Sequence, residues 1–383
     1  MICKSLLGVI VALSVVAVTA PLGAIAAEKP EDTGRAEKLA VSWNDPESGG
    51  GVVCPLSLEP PWNFVAAPLQ IGASAVLRSA DGRVYALSRA DDTITVIDAD
   101  AWVITRVFAA EQFHGIEDIA VVDGNRAYIT RSTATHLLRL DLETGATTEV
   151  LDLSFLADDD GIPEMGMMAI QRGRLFIQIR RLDEGGYFSP PAYLAVMDIA
   201  TEQLIEADHQ RPGIQPIELL GTFPKHKMQQ AERGDRLYVS ATGIPFDDGG
   251  LEAVDTVRLR SLGLVVAEAD GQVGVDLASF VFVGPHGGFL AYTTDIAVSS
   301  HLYPFSLTGE VGEIPPINTR VGYTASVLAF DRPSNVVFYP DGPAPNAGVL
   351  PLDGTTGQPL AKTVRTSAIP TDFVIVLKSG RFQ

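Results

Sequence analysis

The fold of this chain is decided by the stretch Gly82-Arg83-Val84-Tyr85-Ala86-Leu87 and the run after it, Thr93-Ile94-Thr95-Val96-Ile97-Asp98. Both runs are rich in β-branched, aromatic and aliphatic residues, which is typical of strands. The connection between them holds Asp91 and Asp92, a residue type that favours turns. The stretch therefore predicts two consecutive strands, introduced by a glycine turn and joined by a polar one.

The same pattern recurs along the chain about every 50 residues. In each copy a glycine turn leads into a strand that has an aromatic residue near its middle. The clear copies are Gly82-Arg83-Val84-Tyr85, Gly124-Asn125-Arg126-Ala127-Tyr128, Gly173-Arg174-Leu175-Phe176 and Gly234-Asp235-Arg236-Leu237-Tyr238, and weaker copies lie at 288–292, 335–339 and 380–382. A later strand that closes in a polar turn follows in each full unit.

Four short strands per unit at this period predict a β-propeller. One small twisted sheet cannot bury both of its faces alone, whereas radial stacking buries each sheet against its neighbours. We expect an all-β, seven-bladed propeller over residues 39–383. Residues 39–56 and 372–383 would each give two strands to the last blade, which both termini then close. Six or eight blades are the alternatives, because the long fourth and sixth units allow a different count.

Residues 84–107, in which Asp98 follows Thr93-Ile94-Thr95-Val96-Ile97, resemble the repeats of YVTN-type propellers. That group is in turn similar to amine-dehydrogenase heavy chains and some lactonases. The resemblance extends over most of residues 70–383 and implies the seven-bladed fold. It implies little about function, because this fold hosts ligand binders, scaffolds and several types of enzyme.

The first 26 residues have the pattern of a signal peptide. Lys4 precedes an apolar run over residues 6–18, and Ala24-Ile25-Ala26 is a small-x-small cleavage pattern. An uncleaved membrane anchor is the alternative. Residues 27–38 are polar and predict a flexible linker. We therefore expect a periplasmic or extracellular protein with no stable membrane span once the signal is removed.

Composition narrows the possible partners. The net charge of −19 repels phosphate backbones and argues against nucleic acid as a partner. Cys3 lies within the signal, which leaves Cys54 alone and without an intrachain disulfide. A lone cysteine outside any motif favours a buried structural thiol over a catalytic one.

The long insertions fall in two sets of loops, those between blades and those between the second and third strands of a blade. Both sets belong to one face of a propeller, here called the top face. Loop extensions on one face of a repeat ring are typical of a binding face. The insertion at 182–192 brings Tyr187 and Phe188, and the one at 244–253 brings Asp247 and Asp248. We expect these four residues to contact a ligand.

Residues that lead into the innermost strands should ring the central channel at the top face. They are Ser74, Glu117, Asp118, Glu164, Met165, His226, Lys227, Asp276, Thr324 and Asp372. Several are acidic, so the ring predicts a site for a cation or a basic group, and calcium or another divalent cation is a possible cofactor. The predicted ligand-binding residues among them are Glu117, Asp118, Glu164, His226, Lys227 and Asp372.

Motifs for specific chemistry are weak in this sequence. Asp158-Asp159-Asp160-Gly161 lacks the alternating spacing of a calcium loop and favours a solvated turn. No His or Cys pair has metal-ligand spacing, and Met165, Met167 and Met168 favour core packing over copper ligation. There is no Gly-x-Ser-x-Gly nucleophile elbow.

These observations favour an exported propeller that binds a protein or a small ligand on its top face without catalysis. The alternative is a periplasmic enzyme, either a lactonase-like hydrolase or a dehydrogenase subunit. In that case Glu117, Asp118, His226 and Asp372 would hold a metal or act as acid and base. A scaffold with no discrete site is a third possibility.

Overall fold

The computed structural model describes residues 38–109, 111–182, 190–230, 234–242, 249–268, 276–293, 300–312, 326–342 and 346–376. Their strands form seven antiparallel sheets. The expected seven-bladed, all-β propeller is confirmed. The predicted signal peptide and nearly all of the predicted linker lie outside the described residues and stay predictions. Within the described ranges, no helix has the length and apolar character of a membrane span.

Blades 1 to 3 follow one another along the chain. Blade 1 is β4 (Ala75–Ala80), β5 (Arg83–Ser88), β6 (Thr93–Asp98) and β7 (Val103–Ala109). Blade 2 is β8 (Ile116–Val121), β9 (Arg126–Arg131), β10 (His136–Asp141) and β11 (Thr147–Asp152). Blade 3 is β12 (Met165–Gln171), β13 (Arg174–Ile179), β14 (Tyr193–Asp198), β15 (Gln203–Leu204) and β16 (Ile217–Glu218). Short 3-10 helices at Glu111–Phe113 and Ser154–Leu156 precede β8 and β12.

Blades 4 to 7 complete the ring. Blade 4 is β17 (Gln229–Gln230), β18 (Arg236–Ala241), β19 (Gly250–Asp255) and β20 (Arg260–Ala267). Blade 5 is β21 (Asp276–Gly284), β22 (Gly287–Thr293) and β23 (Ser300–Ser306). Blade 6 is β24 (Ala329–Asp331), β25 (Val336–Asp341), β26 (Gly348–Asp353) and β27 (Val364–Arg365). Blade 7 has the order β28 (Pro370–Val376), β1 (Lys38–Asn44), β2 (Gly51–Ser57) and β3 (Leu69–Ile71).

In blades 1 and 3, the glycine turn that introduces the repeat is a tight hairpin. Between β4 and β5, Asp81 and Gly82 both have positive φ, 51° and 70°. Arg172 and Gly173, with φ of 53° and 71°, repeat this between β12 and β13. Two successive positive φ angles define the type I′ turn, whose twist matches that of the strands on either side. The turn thereby fixes the register, so that Ala80 lies opposite Arg83.

An aromatic residue occupies the third position of the second strand in six blades. Each of these side chains is 2% exposed or less, and each packs against the next sheet. They are Tyr85, Tyr128, Phe176, Tyr238, Phe289 and Phe338. Full burial of such a side chain stabilises the fold by about 2–3 kcal/mol. The repeat recognised in the sequence is therefore a packing unit.

Seven hydrophobic clusters connect the described parts of the blades, one at each interface between neighbours. Tyr85 of blade 1 joins Ile129 of blade 2, for example, and Phe176 of blade 3 joins Leu237 of blade 4. Cys54 is buried at the interface of blades 6 and 7 with a free thiol, and burial raises its pKa to about 11. The core is thus a ring of interfaces around the channel.

Both chain ends close blade 7, as expected, but the division of its strands differs from the prediction. Among the described residues, a single C-terminal strand enters the sheet, and β28 pairs directly with β1, with Val41 opposite Phe373. The N-terminal segment supplies three strands, because residues after β2 return as β3 on the outer edge. The direct pairing of β28 with β1 leaves no position between them for a second C-terminal strand.

Candidate functional site

The innermost strands of the blades surround a channel with two chambers. The upper chamber opens towards the top face, has a volume of about 290 Å³ and is bordered by Ser74, His226 and Asp372. The lower chamber has a volume of about 570 Å³ and extends to Gln230 and Arg332 at the opposite ends of the strands. Lys227 borders both chambers.

A buried ion pair lies at the wall of the lower chamber, which Arg78 borders. The Arg78 guanidinium donates to both carboxylate oxygens of Asp118, at 2.8 and 2.6 Å, and the carboxylate also accepts from Met168 N. Asp118 is fully buried. Burial alone would lower the pKa of Arg78, but the Asp118 carboxylate outweighs it and the pKa is raised. The arginine therefore stays cationic, and the Asp118 carboxylate joins blades 1, 2 and 3.

A second ion pair crosses the channel. Lys227, just before β17, places its Nζ 2.6 Å from Asp372 Oδ2 in β28. The same oxygen accepts from Leu77 N at 2.7 Å. Burial lowers the pKa of Lys227, and the Asp372 carboxylate opposes that shift. This carboxylate therefore connects blades 4, 7 and 1.

Glu117 is held between two arginines at the top face. Its carboxylate lies 2.7 Å from Arg89 Nη2 and 3.2 Å from Arg180 Nη2. Arg89 follows the end of β5 and borders the upper chamber, whereas Arg180 is buried beside β12. Both cationic partners belong to the protein itself, so Glu117 does not present a bare negative charge.

Phe223 organises the cations at one side of the upper chamber. The Arg180 guanidinium lies 5.8 Å from its ring centroid and Lys225 Nζ lies 5.6 Å from it, both within cation–π range. Lys225 is exposed and borders the chamber. The aromatic ring thus holds a lysine ammonium near the opening of the channel.

His226 lies next along the chain and also borders the upper chamber. Its carbonyl accepts from Gln178 Nε2 at 3.1 Å, which fixes the backbone. Burial, with Lys225 and Arg89 nearby, lowers the pKa of the imidazole to about 3. The ring is therefore neutral at physiological pH and has one N–H donor and one acceptor nitrogen.

The wall of the upper chamber is more cationic than the chain as a whole. Among the described residues that border it, Arg89, Lys225 and Lys227 are cationic and Asp372 is anionic. Asp372 is already paired with Lys227. On a chain with a net charge of −19 this is a local reversal of sign. A concave wall of one sign attracts counter-charged solutes.

Glu164 takes a different orientation from the other acids at strand starts. Its Oε2 accepts from Leu182 N at 2.7 Å, and it does not border either chamber. Its backbone is left-handed, with φ of 43°. Burial, reinforced by Asp160 and Asp158 and opposed by the Leu182 N–H, raises the pKa of Glu164 to about 7.

The structure thus sorts the residues predicted from sequence. Ser74, His226, Lys227 and Asp372 border the upper chamber, whereas Glu117 and Asp118, predicted to lead into an innermost strand, lie within β8 and border neither chamber. Met165 is in the core. Residues outside the described ranges include Tyr187, Phe188, Asp247, Asp248 and Thr324, and the description leaves out the Asp276 side chain. That the named residues bind a ligand stays a prediction.

Metal binding finds no arranged ligand set in the part of the chain that the structure describes: no group of three or more His, Cys, Asp or Glu side chains could hold an ion. Asp158 Oδ1 instead accepts from Asp160 N, and Asp160 Oδ1 accepts from Ile162 N, in a local turn. The Asp158–Asp160 run thus has the turn structure that its spacing predicted.

Sequence reasoning missed four cationic residues of the site: Arg78, Arg89, Arg180 and Lys225. Arg78 carried a signal, because a charge in the middle of an innermost strand must face the channel or be paired. Arg89 follows β5 in a loop of the top face, and Lys225 lies in the link before β17. For Arg89 and Lys225, the position in the repeat was the only signal in the sequence that could have predicted a place in the site.

Comparisons with known proteins agree with the fold. Neither the models of known families nor the sequences of curated proteins match this chain. Among solved structures, the chain is similar to a functionally unknown protein from Desulfotomaculum acetoxidans (12% identity, 89% of this chain, 99% of that chain, TM-score 0.58). It is also similar to Kuenenia stuttgartiensis hydrazine synthase, with 12% identity, 77% of this chain and 86% of that chain covered, and a TM-score of 0.56. A third similar structure is a dihydro-heme d1 dehydrogenase in complex with DHE, with 12% identity, 89% of this chain and 75% of that chain covered, and a TM-score of 0.55. At this identity the likeness shows the propeller fold and leaves the YVTN-type assignment unproven.

Proposed function

We propose that this protein is an exported propeller that binds a small anionic organic molecule in the upper chamber of its channel. The observation that carries the proposal is the reversal of charge there: Arg89 and Lys225 face the chamber of a strongly acidic chain. Export is part of the proposal, because residues 1–26 have the signal pattern.

The ion pairs make an anion a better occupant than the cation expected from sequence. Asp118 and Asp372 each accept hydrogen bonds from a cation and from backbone N–H groups. An entering cation would have to displace those partners. An entering carboxylate meets Lys225 and can join Glu117 at the Arg89 guanidinium, and it leaves the Arg78–Asp118 and Lys227–Asp372 pairs intact. Charge-assisted bonds of this kind are among the stronger contacts in a binding site.

Calorimetric titration tests the proposal with succinate, citrate and inorganic phosphate at constant ionic strength. We expect at least one of the two organic acids, succinate or citrate, to bind the wild-type protein at a single site. Arg89→Gln and Lys225→Gln should each weaken that binding at least fivefold. Lys362→Gln is the matched control, because Lys362 is exposed and borders neither chamber. Absence of binding by both organic acids, or equal affinity in all variants, would overturn the proposal.

An enzymatic function is the second candidate. Two similar structures are named as a synthase and a dehydrogenase, and burial raises the pKa of Glu164, which lies outside both chambers, to about 7, the range that suits an acid–base group. The test is an assay of lactone hydrolysis and of electron transfer to an artificial acceptor, in which Glu164→Gln should abolish any turnover. Turnover that is unchanged in this variant would remove Glu164 from the role.

A further inference from the structure

The polar groups of the upper chamber that carry no charge point to a narrower class of ligand. Resting on the proposed function, we infer that the ligand is a hydroxylated carboxylate, in which the anionic group meets Arg89 and Lys225 and a hydroxyl group meets the His226 imidazole. The chamber of about 290 Å³ has room for roughly ten water-sized groups, enough for a small hydroxy acid.

The His226 ring sets the requirement. Its ring nitrogens make no hydrogen bond to another group in the described part of the chain, and the residue borders the chamber. In a neutral ring one nitrogen is an acceptor, and within the chamber either water or a donor group of the ligand can bond to it. An ionised carboxylate only accepts hydrogen bonds, so it can satisfy the N–H of the ring but not the other nitrogen. A hydroxyl group on the ligand supplies that donor.

Hydroxyl groups of the protein complement the same ligand. Ser74 and Ser326 are exposed at the rim of the chamber, and Thr371 lies beside Asp372, where its Oγ1 is 3.1 Å from Ser42 Oγ. A hydroxyl both donates and accepts, so these side chains can pair with the hydroxyl groups of a polyol chain. A plain alkyl acid would instead bury polar wall atoms against methylene groups, which costs affinity.

Binding of matched acids tests the inference. Malate and succinate have the same two carboxylates and differ by one hydroxyl, and citrate and tricarballylate differ in the same way with three carboxylates. We expect the wild-type protein to bind each hydroxy acid at least fivefold more tightly than its partner, because a site built to hydrogen-bond a hydroxyl rejects the analogue that lacks it. This comparison needs no variant.

Two variants assign the preference to its residue. His226→Phe keeps a flat ring and removes both nitrogens, so the ratio of the two affinities within each pair should fall to about one. Lys225→Gln should weaken both members of a pair equally and preserve the ratio. Thermal unfolding of each variant confirms that it is folded before titration.

The outcomes separate the two proposals. If both members of each pair bind with equal affinity to the wild-type protein, the anion site stands and the hydroxy-acid inference is overturned. A preference that persists in His226→Phe also overturns it, because the hydroxyl is then recognised elsewhere. If no acid of either pair binds, the proposed function fails together with the inference.

Discussion

Lys227 Nζ lies 2.6 Å from Asp372 Oδ2, and this contact joins residues that are 145 positions apart in the chain. Asp372 belongs to β28, the C-terminal strand that closes the ring, and Lys227 precedes the innermost strand of blade 4. The pair spans the channel and also forms part of the boundary between its chambers. One carboxylate therefore serves both the closure of the fold and the shape of the candidate site.

Replacement of Asp372 should destabilise the protein. In Asp372→Asn, the half-buried Lys227 ammonium loses its counter-charge, and we expect the free energy of unfolding at pH 7 to fall by about 2–3 kcal/mol, since removal of one partner leaves an uncompensated charge. Urea denaturation measures the change. The additional substitution Lys227→Met should restore part of the loss.

Asp208→Asn is the matched control for that experiment. Asp208 pairs with Arg211 at 2.8 Å, but both side chains are more than a third exposed, at 37% and 48%. Water already screens such a pair, so the unfolding midpoint should barely change. Equal effects of Asp372→Asn and Asp208→Asn would show that the channel pair has no special structural role.

A disulfide should lock the two chain ends together. Ala40 of β1 lies opposite Val374 of β28, and opposed residues in antiparallel strands have the Cα separation that a disulfide needs. In a Cys54→Ala background, A40C/V374C should cross-link under oxidation, which a change of mobility on a non-reducing gel detects. Because the bond closes a very long loop, it should stabilise the fold by about 2–4 kcal/mol. Failure to cross-link would contradict the β1–β28 pairing.

Glu164 should make stability depend on pH. The native pKa of about 7 lies above the ordinary value of 4.5, so between these values the folded state binds more protons than the unfolded state. The contribution of Glu164 to stability is therefore largest below pH 4.5 and is lost as pH rises through 7. Glu164→Gln keeps an acceptor for Leu182 N and cannot ionise, so it should be more stable than wild type by roughly 2 kcal/mol at pH 8 and similar at pH 4.5. Parallel pH profiles of the two proteins would contradict this.

Gly173 tests the hairpin turn that defines the repeat. Its φ is 71°, and an added Cβ would meet nothing within 4 Å, so Gly173→Ala changes only backbone strain. We expect a loss of about 1 kcal/mol in the free energy of unfolding. Gly284 has equal space around it without the positive φ, so Gly284→Ala should have little effect. Thermal unfolding of both variants makes the comparison, and equal losses would argue against strain as the cause.

Local patterns predicted most of the blade architecture. The turn at Gly82, the buried aromatic at Tyr85 and the strand that ends at Asp98 all depend on interactions within a few dozen residues, which repetition makes visible. How many strands each chain end contributes to blade 7 was harder to predict, because the pairing of Val41 with Phe373 joins opposite ends of the chain. The residues next to Val41 and Phe373 in the sequence contain no signal that predicts this pairing.

In the candidate site, the difference between what local sequence predicts and what long-range contacts decide is larger. The sequence analysis predicted that Ser74, His226, Lys227 and Asp372 lie together at the channel, because the inner strands of successive blades begin at the same face. All four border the upper chamber. Sequence patterns gave no means of pairing Asp118 with Arg78, or Glu117 with Arg89 and Arg180. Glu117, Asp118 and Asp372, which the sequence analysis predicted as part of a cation site, thus form ion pairs with cationic side chains of the protein itself.

What the sequence alone determined is the repeat, its strands and hence the ring of seven sheets, because period, turn chemistry and alternation of apolar residues are local properties. Only the tertiary structure decided the sign of the channel wall. That sign depends on which charges lie within a few ångströms of one another, and the partners of Asp118 and Asp372 lie 40 and 145 residues away. Closure of the ring brings those residues together and leaves Arg89 and Lys225 facing the chamber.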